Sequence, residues 1–172
     1  MLFGKKEWLT KMPPYQGGGE MISEVTFEKT TYADLPHKFE AGTPNIAGAI
    51  GFGASLDYLN SIGFENIETY ESELLNYATN KLKNIPELKI YGEAKDKTSV
   101  ISFNVGELHS YDIGTILDKF GIAVRTGQHC AQPVMDYFGI PGTVRASFSF
   151  YNTKEEIDYF CKSLERAITM LS

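Results

Sequence analysis

Two cysteines and three histidines are the side chains of this 172-residue sequence with the most distinctive chemistry. Cys130 lies in Arg125-Thr126-Gly127-Gln128-His129-Cys130-Ala131-Gln132-Pro133, beside an imidazole and near a guanidinium. Cationic neighbours favour the thiolate, which is the nucleophilic form of cysteine, so this segment could carry an attacking sulfur. The plainer reading is chance adjacency, because the nucleophile and base of most cysteine enzymes are distant in sequence. Cys161 falls at helical spacing with Ile157, Phe160, Leu164 and Ile168, which marks it as a small buried hydrophobe. No C-x2-C or H-x3-H spacing links the cysteines with His37, His109 and His129, so no metal site is expected. Arg145 sits between Val144 and Ala146 in an alternating run, where its fork of N–H donors suits either a carboxylate ligand or an ordinary surface ion pair.

These residues need elements to hold them. Val144, Ala146, Phe148 and Phe150 alternate with Arg145, Ser147 and Ser149, which predicts a strand with its apolar side buried and Arg145 pointing away. Upstream, the pattern predicts strands at Leu88–Tyr91, Val100–Val105 and Ile122–Arg125, with a helix from about Tyr111 to Phe120. The stretch from Thr126 to Gly142 reads as a loop, which would leave Cys130 mobile and accessible. A capping box, Thr153-Lys154-Glu155-Glu156, opens a last helix whose apolar stripe runs from Ile157 to Leu171. An amphipathic helix carrying Tyr70, Leu74, Tyr77, Ala78 and Leu82 ends before Pro86. Residues 64–172 should therefore form an α+β unit, a small sheet with helices on one side.

The first 59 residues differ. Residues 1–45 are rich in Gly, Pro and Tyr around Pro13-Pro14-Tyr15-Gln16-Gly17-Gly18-Gly19 and read as short strands and loops. Ile46 to Leu59 is a run of small and apolar residues suited to a closely packed buried helix, ended by Gly63. Alone this region does not read as a complete domain.

Composition bounds the partners. Hydrophobic residues make up 42% and aromatics 13% of the chain, a globular composition. A net charge of −6 lacks the basic clustering that phosphate backbones require, so no nucleic-acid partner is expected. No apolar run approaches the ~18 residues of a membrane span, and Met1 to Thr10 lacks the core of a signal peptide, so a cytoplasmic setting without membrane contact is expected.

The string Ala123-Val124-Arg125-Thr126-Gly127-Gln128-His129-Cys130-Ala131, with Val144-Arg145-Ala146-Ser147 and Tyr151-Asn152-Thr153, resembles the group II cysteine desulfurases of the Suf iron–sulfur assembly system. Further matches are Pro13-Pro14, Gly17-Gly18-Gly19-Glu20-Met21, Phe39-Glu40-Ala41-Gly42-Thr43-Pro44-Asn45 and Ser102-Phe103-Asn104, so the likeness covers essentially the whole chain in order. It implies an α/β fold of the pyridoxal-phosphate fold type I, built as a homodimer. Residues 1–59 would be the end of the large cofactor-binding domain and residues 60–172 the small C-terminal domain.

The resemblance further implies that L-cysteine gives up its sulfur to Cys130 as a persulfide and leaves as alanine, with selenocysteine able to follow the same path. Arg145 would hold the substrate carboxylate, Arg125 and His129 would flank the cysteine, and Thr43 would reach the phosphate of the partner subunit's cofactor. A sulfur-acceptor protein of the Suf system would take the persulfide sulfur. The lysine that forms the Schiff base with pyridoxal 5'-phosphate in this family has no match in Lys5, Lys6 or Lys11, so these 172 residues by themselves are expected to be inactive. Gln128 stands where many members have a second histidine, which leaves any proton transfer at that position open. Two other readings compete: another class V enzyme, such as a kynureninase or epimerase relative, which needs no loop cysteine, and a non-catalytic fragment that docks an acceptor.

Overall fold

A computed structural model describes all 172 residues, which divide into two compact units, Met1–Leu59 and Asn60–Ser172. The first unit is built from short pieces. Helix α1 (Lys6–Lys11) precedes a hairpin of β1 (Ile22–Val25) and β2 (Thr30–Tyr32), whose turn is closed by a backbone bond from Thr26 to Lys29. Lys38 donates to the carbonyls of Leu9 and Thr10 at 3.2 and 2.9 Å, placing its charge at the negative end of α1. Helix α1 was not expected, because six residues are too few to display a period.

Helix α2 (Ile46–Ile62) occupies the predicted run of small residues and breaks at Gly63. The expectation that it is buried is overturned: none of its residues is buried. Small side chains permit close packing but do not supply a partner, and a Cβ built on Gly51 or Gly53 would meet nothing within 4 Å.

The second unit is an antiparallel four-stranded sheet in the order β3-β4-β6-β5, formed by β3 (Leu88–Tyr91), β4 (Val100–Val105), β6 (Thr143–Ser147) and β5 (Arg125–Gly127). Helices α3 (Phe64–Leu82), α4 (Ser110–Lys119) and α6 (Lys154–Leu171) supply apolar stripes to one face of it. Along β4, Ile101, Phe103 and Val105 are buried while Val100, Ser102 and Asn104 are not, the period-two pattern of a strand with one face in the core. Opposite them stand Leu74, Ala78 and Leu82 of α3, Ile113 and Leu117 of α4, and Ile157, Phe160 and Leu164 of α6. Burying side chains of this size contributes about 1.5–3 kcal/mol each, so this core sets the stability of the unit.

The capping box of α6 forms as expected: Thr153 Oγ1 accepts from the Glu156 N–H at 3.2 Å, and the Glu156 carboxylate accepts from the Thr153 N–H at 2.9 Å. Across the α3–α6 seam the Tyr77 hydroxyl donates to Asp158 at 2.8 Å and Lys81 pairs with the same carboxylate at 2.6 Å.

Three expectations for this unit are corrected. Only Arg125–Gly127 pairs as β5, not Ile122–Arg125, because the Ile122 N–H is already bonded to the Leu117 carbonyl in the C-terminal cap of α4. The segment 126–142 is also not all loop. It contains helix α5 (Gln132–Phe138), which has Pro133 in its first turn and is capped by Gly139 in the left-handed conformation. Phe138 of α5 packs edge-on against Tyr91 with ring centroids 5.3 Å apart, on the sheet face that the other three helices leave free, so the helices do not all lie on one side.

Candidate functional site

The register of the sheet decides which side chains meet. Tyr91 pairs with Ser102, Ser102 with Arg145, and Arg145 with Arg125, so these four form one row across all four strands. Directly paired residues share a face, and Ser102 alternates with core residues, so the row lies on the face away from the core. The prediction that Arg145 points away from the apolar side holds. What the sequence did not reveal is that Arg125 is its cross-strand neighbour.

Two guanidiniums directly opposite each other on adjacent strands repel, which destabilises the pair unless an anion lies between them. Arg145 Nε is buried with no hydrogen-bond partner, and no salt bridge engages either arginine. An arginine pair held this way, with a buried donor unmet, suits a bidentate carboxylate.

Beside the row, two residues back along β6, stands Thr143, paired with Gly127 and 1% exposed. Its Oγ1 lies 2.8 Å from His129 Nε2. Asn104 donates from Nδ2 to the Gly142 carbonyl at 2.9 Å, tying the approach to β6 to β4. Gly142 has no room for a side chain, since a Cβ there would sit 2.8 Å from the Gly127 carbonyl carbon. This close approach of two backbones brings the chain entering β6 beneath the segment that carries Cys130.

His129 and Cys130 both have φ of 56°, and the Ala131 N–H donates to the Gln128 carbonyl at 2.9 Å. Two central residues at positive φ closed by that bond form a turn of the kind that favours Gly, Asn or Asp. Holding two side-chain-bearing residues there costs about 1–2 kcal/mol each. A single hydrogen bond returns only about 0.5–1.5 kcal/mol, so the turn needs more than its own closure to persist. The bond from His129 to Thr143 provides a further hold.

Cys130 is exposed at this turn, whereas Cys161 is buried in α6. Burial pushes the Cys161 thiol up to about 11, which leaves it protonated and unreactive at neutral pH. Desolvation first, then the positive charges of Arg145 and Arg125, hold the His129 imidazole below its ordinary 6.5, while hydrogen bonding to the Thr143 backbone opposes them. His129 is therefore neutral at pH 7, with Nδ1 buried and unpartnered.

The other histidines play no part here. His109 caps α4 by accepting from the Tyr111 N–H at 3.3 Å, and His37 pairs with Glu40 at 3.2 Å on the surface. No three His, Cys, Asp or Glu side chains cluster as a metal site.

Thr43 lies in the other unit, exposed and just before α2, where Asn45 Oδ1 accepts from the Gly48 N–H at 2.9 Å. A free hydroxyl near a helix N-terminus is chemistry that suits a phosphate oxygen, so this residue fits a cofactor phosphate. Lys5, Lys6 and Lys11 are exposed on or next to α1, with Lys11 stacked over Trp8 at 5.5 Å.

Residues 1–160 match the model of the aminotransferase class-V family. The chain belongs to that family. The class-V chain is 49% identical over 172 residues to a cysteine desulfurase of Pectobacterium carotovorum, covering 99% of this chain and 42% of that protein. It is 52% identical over 174 residues to a probable cysteine desulfurase of Synechocystis, covering 99% of this chain and 41% of that one. Among solved structures, the cysteine desulfurase CsdA of Escherichia coli in an S-sulfonic acid form superposes with a TM-score of 0.90 at 39% identity, over 99% of this chain and 42% of CsdA. The α/β fold expected of the class-V enzymes is thus present. The chain spans about two fifths of the length of the curated relatives it matches.

Thr143 and Ser102 were missed as site residues. Nothing in a threonine at the start of a strand distinguishes it, and only the register brings Ser102 beside Arg145. The flanks Gly142 and Gly127 carried a signal, since a glycine entering a strand marks close backbone approach.

Proposed function

We propose that the whole protein is a pyridoxal-phosphate-dependent cysteine desulfurase of the Suf type, with residues 1–59 ending its large domain and residues 60–172 forming its small domain. The observation that carries this is Cys130, an exposed thiol on a constrained turn beside the Arg125–Arg145 pair. The naming of relatives about half identical over nearly the whole chain supports the reading.

In this proposal Arg145, aided by Arg125, grips the carboxylate of L-cysteine and fixes the direction of its side chain. Bound pyridoxal phosphate, contacted in the partner subunit by Thr43, supplies the electron sink that makes the substrate's C–S bond breakable. The Cys130 thiolate attacks the substrate sulfur, a new S–S bond forms, and the C–S electron pair returns to the carbon skeleton. That skeleton takes up protons and leaves as alanine, while Cys130 keeps the sulfur as a persulfide. Neutral His129 supports the turn without adding a charge to it. Selenocysteine fits the same grip.

An exposed persulfide can be handed on, which fits a homodimeric, cytoplasmic enzyme feeding a Suf sulfur-acceptor protein for iron–sulfur cluster assembly. The structure has no helix long and apolar enough to cross a membrane.

The test is turnover by the intact protein supplied with pyridoxal phosphate and L-cysteine. Stoichiometric alanine is expected. Alanine absent while another amino acid is consumed would place the protein elsewhere among the class-V enzymes.

A further inference from the structure

Thr143 does nothing for its strand that valine would not do. Its side chain is 1% exposed, a position where an unpartnered hydroxyl is unfavourable and an apolar methyl is not. Its hydroxyl is nevertheless used, 2.8 Å from His129 Nε2. His129 and Cys130 are the two consecutive left-handed residues of the turn, so the imidazole that meets Thr143 belongs to the residue immediately before the thiol. The other ring nitrogen, Nδ1, is buried without a partner. Thr143 therefore makes the side-chain hydrogen bond by which the turn is fastened to the sheet. Two positions further along β6 is Arg145, so one strand carries both the fastening and the arginine of the row.

We propose that Thr143 is a positioning residue for Cys130: through His129 it holds the left-handed turn that presents the thiol. The proposal rests on the reading of Cys130 as the sulfur-accepting nucleophile and adds the residue that aims it. In this proposal Thr143 acts on the thiol through His129. Its removal should therefore disturb a step that needs an aimed thiol and spare the binding of cysteine by the arginines.

The test is Thr143→Val in the intact protein, which keeps the buried shape and removes only the hydroxyl. For L-cysteine, kcat should fall by about tenfold, at the low end for loss of one preorganised contact, with KM changed by less than about twofold. Amide hydrogen exchange of Gln128 to Ala131 should accelerate, and the His129 Nε2 NMR signal should shift as its hydroxyl partner is lost. Thr143→Ser, which restores a hydroxyl, should return all three to wild-type values. Unchanged kcat and ring signals in Thr143→Val, or a loss that Thr143→Ser does not recover, would overturn the proposal. The two claims fail separately: if Cys130→Ser still forms alanine, the nucleophile has been misassigned, while exchange and ring signals judge the Thr143 fastening on their own.

Discussion

The two faces of the four-stranded sheet are made by the same strands and serve opposite ends. Toward α3, α4 and α6, β4 and β6 present Ile101, Phe103, Val105, Val144 and Ala146, closely packed and without charge. Toward the other side they present Ser102, Asn104, Thr143 and Arg145, joined by Arg125 of β5 and roofed in part by the Cys130 turn and α5. The cysteines divide the same way, Cys161 facing the core as a neutral thiol and Cys130 exposed at the turn. Because side chains alternate along a strand, neighbouring residues such as Val144 and Arg145 belong to different problems, folding and chemistry. Parity along β6, not distance in sequence, predicts what a substitution will do.

That division can be broken or sharpened. The largest effect is expected on the core face: Phe103 is fully buried and packs against Phe160 with centroids 6.2 Å apart. Phe103→Ala should lower unfolding free energy by about 3–5 kcal/mol, read from urea denaturation. On the opposite face, Arg145→Lys should leave stability within about 0.5 kcal/mol. It should lose about 1.5–3 kcal/mol of substrate interaction, roughly a tenfold to hundredfold fall in kcat/KM. Comparable stability losses from both substitutions would end the division.

Much of the core face was legible. The strands Leu88–Tyr91 and Val100–Val105 fall where alternation put them, and the capping box of α6 announces itself in four residues. The other face was legible residue by residue but not as an arrangement. Cys130, His129, Arg125 and Arg145 were recognisable from type and context, whereas the pairing of Arg125 with Arg145 depends on a strand register that no local pattern fixes. Ile122 to Val124 looked like a strand because Ile122 and Val124 are apolar and β-branched, but the cap of α4, with Gly121 at φ 75°, takes the Ile122 N–H first. Helix α5 was hidden by its seven-residue length, although Pro133 at its start and Gly139 at its end are the expected punctuation. For α2, composition indicated packing that the residues of this chain do not provide.

The smallest expected effect is on pH dependence. With the imidazole of the closed turn held below 6.5, an opened or unfolded turn takes up its proton first as pH falls. The closed turn is therefore most favoured above pH 6.5 and loses stability as pH drops through the interval below it. Nuclear magnetic resonance titration of His129 should give a midpoint under 6.5, with hydrogen exchange at the turn rising on the acid side. A midpoint at or above 6.5 would mean that neither burial nor the arginines hold the imidazole below its ordinary value.

The central claim is that Cys130 receives the sulfur, and intact-mass analysis of the whole protein after incubation with pyridoxal phosphate and L-cysteine tests it most directly. One added sulfur that maps to Cys130 and vanishes in Cys130→Ser, together with alanine formation, is the predicted result. No added sulfur, or added sulfur that survives the substitution, would contradict it.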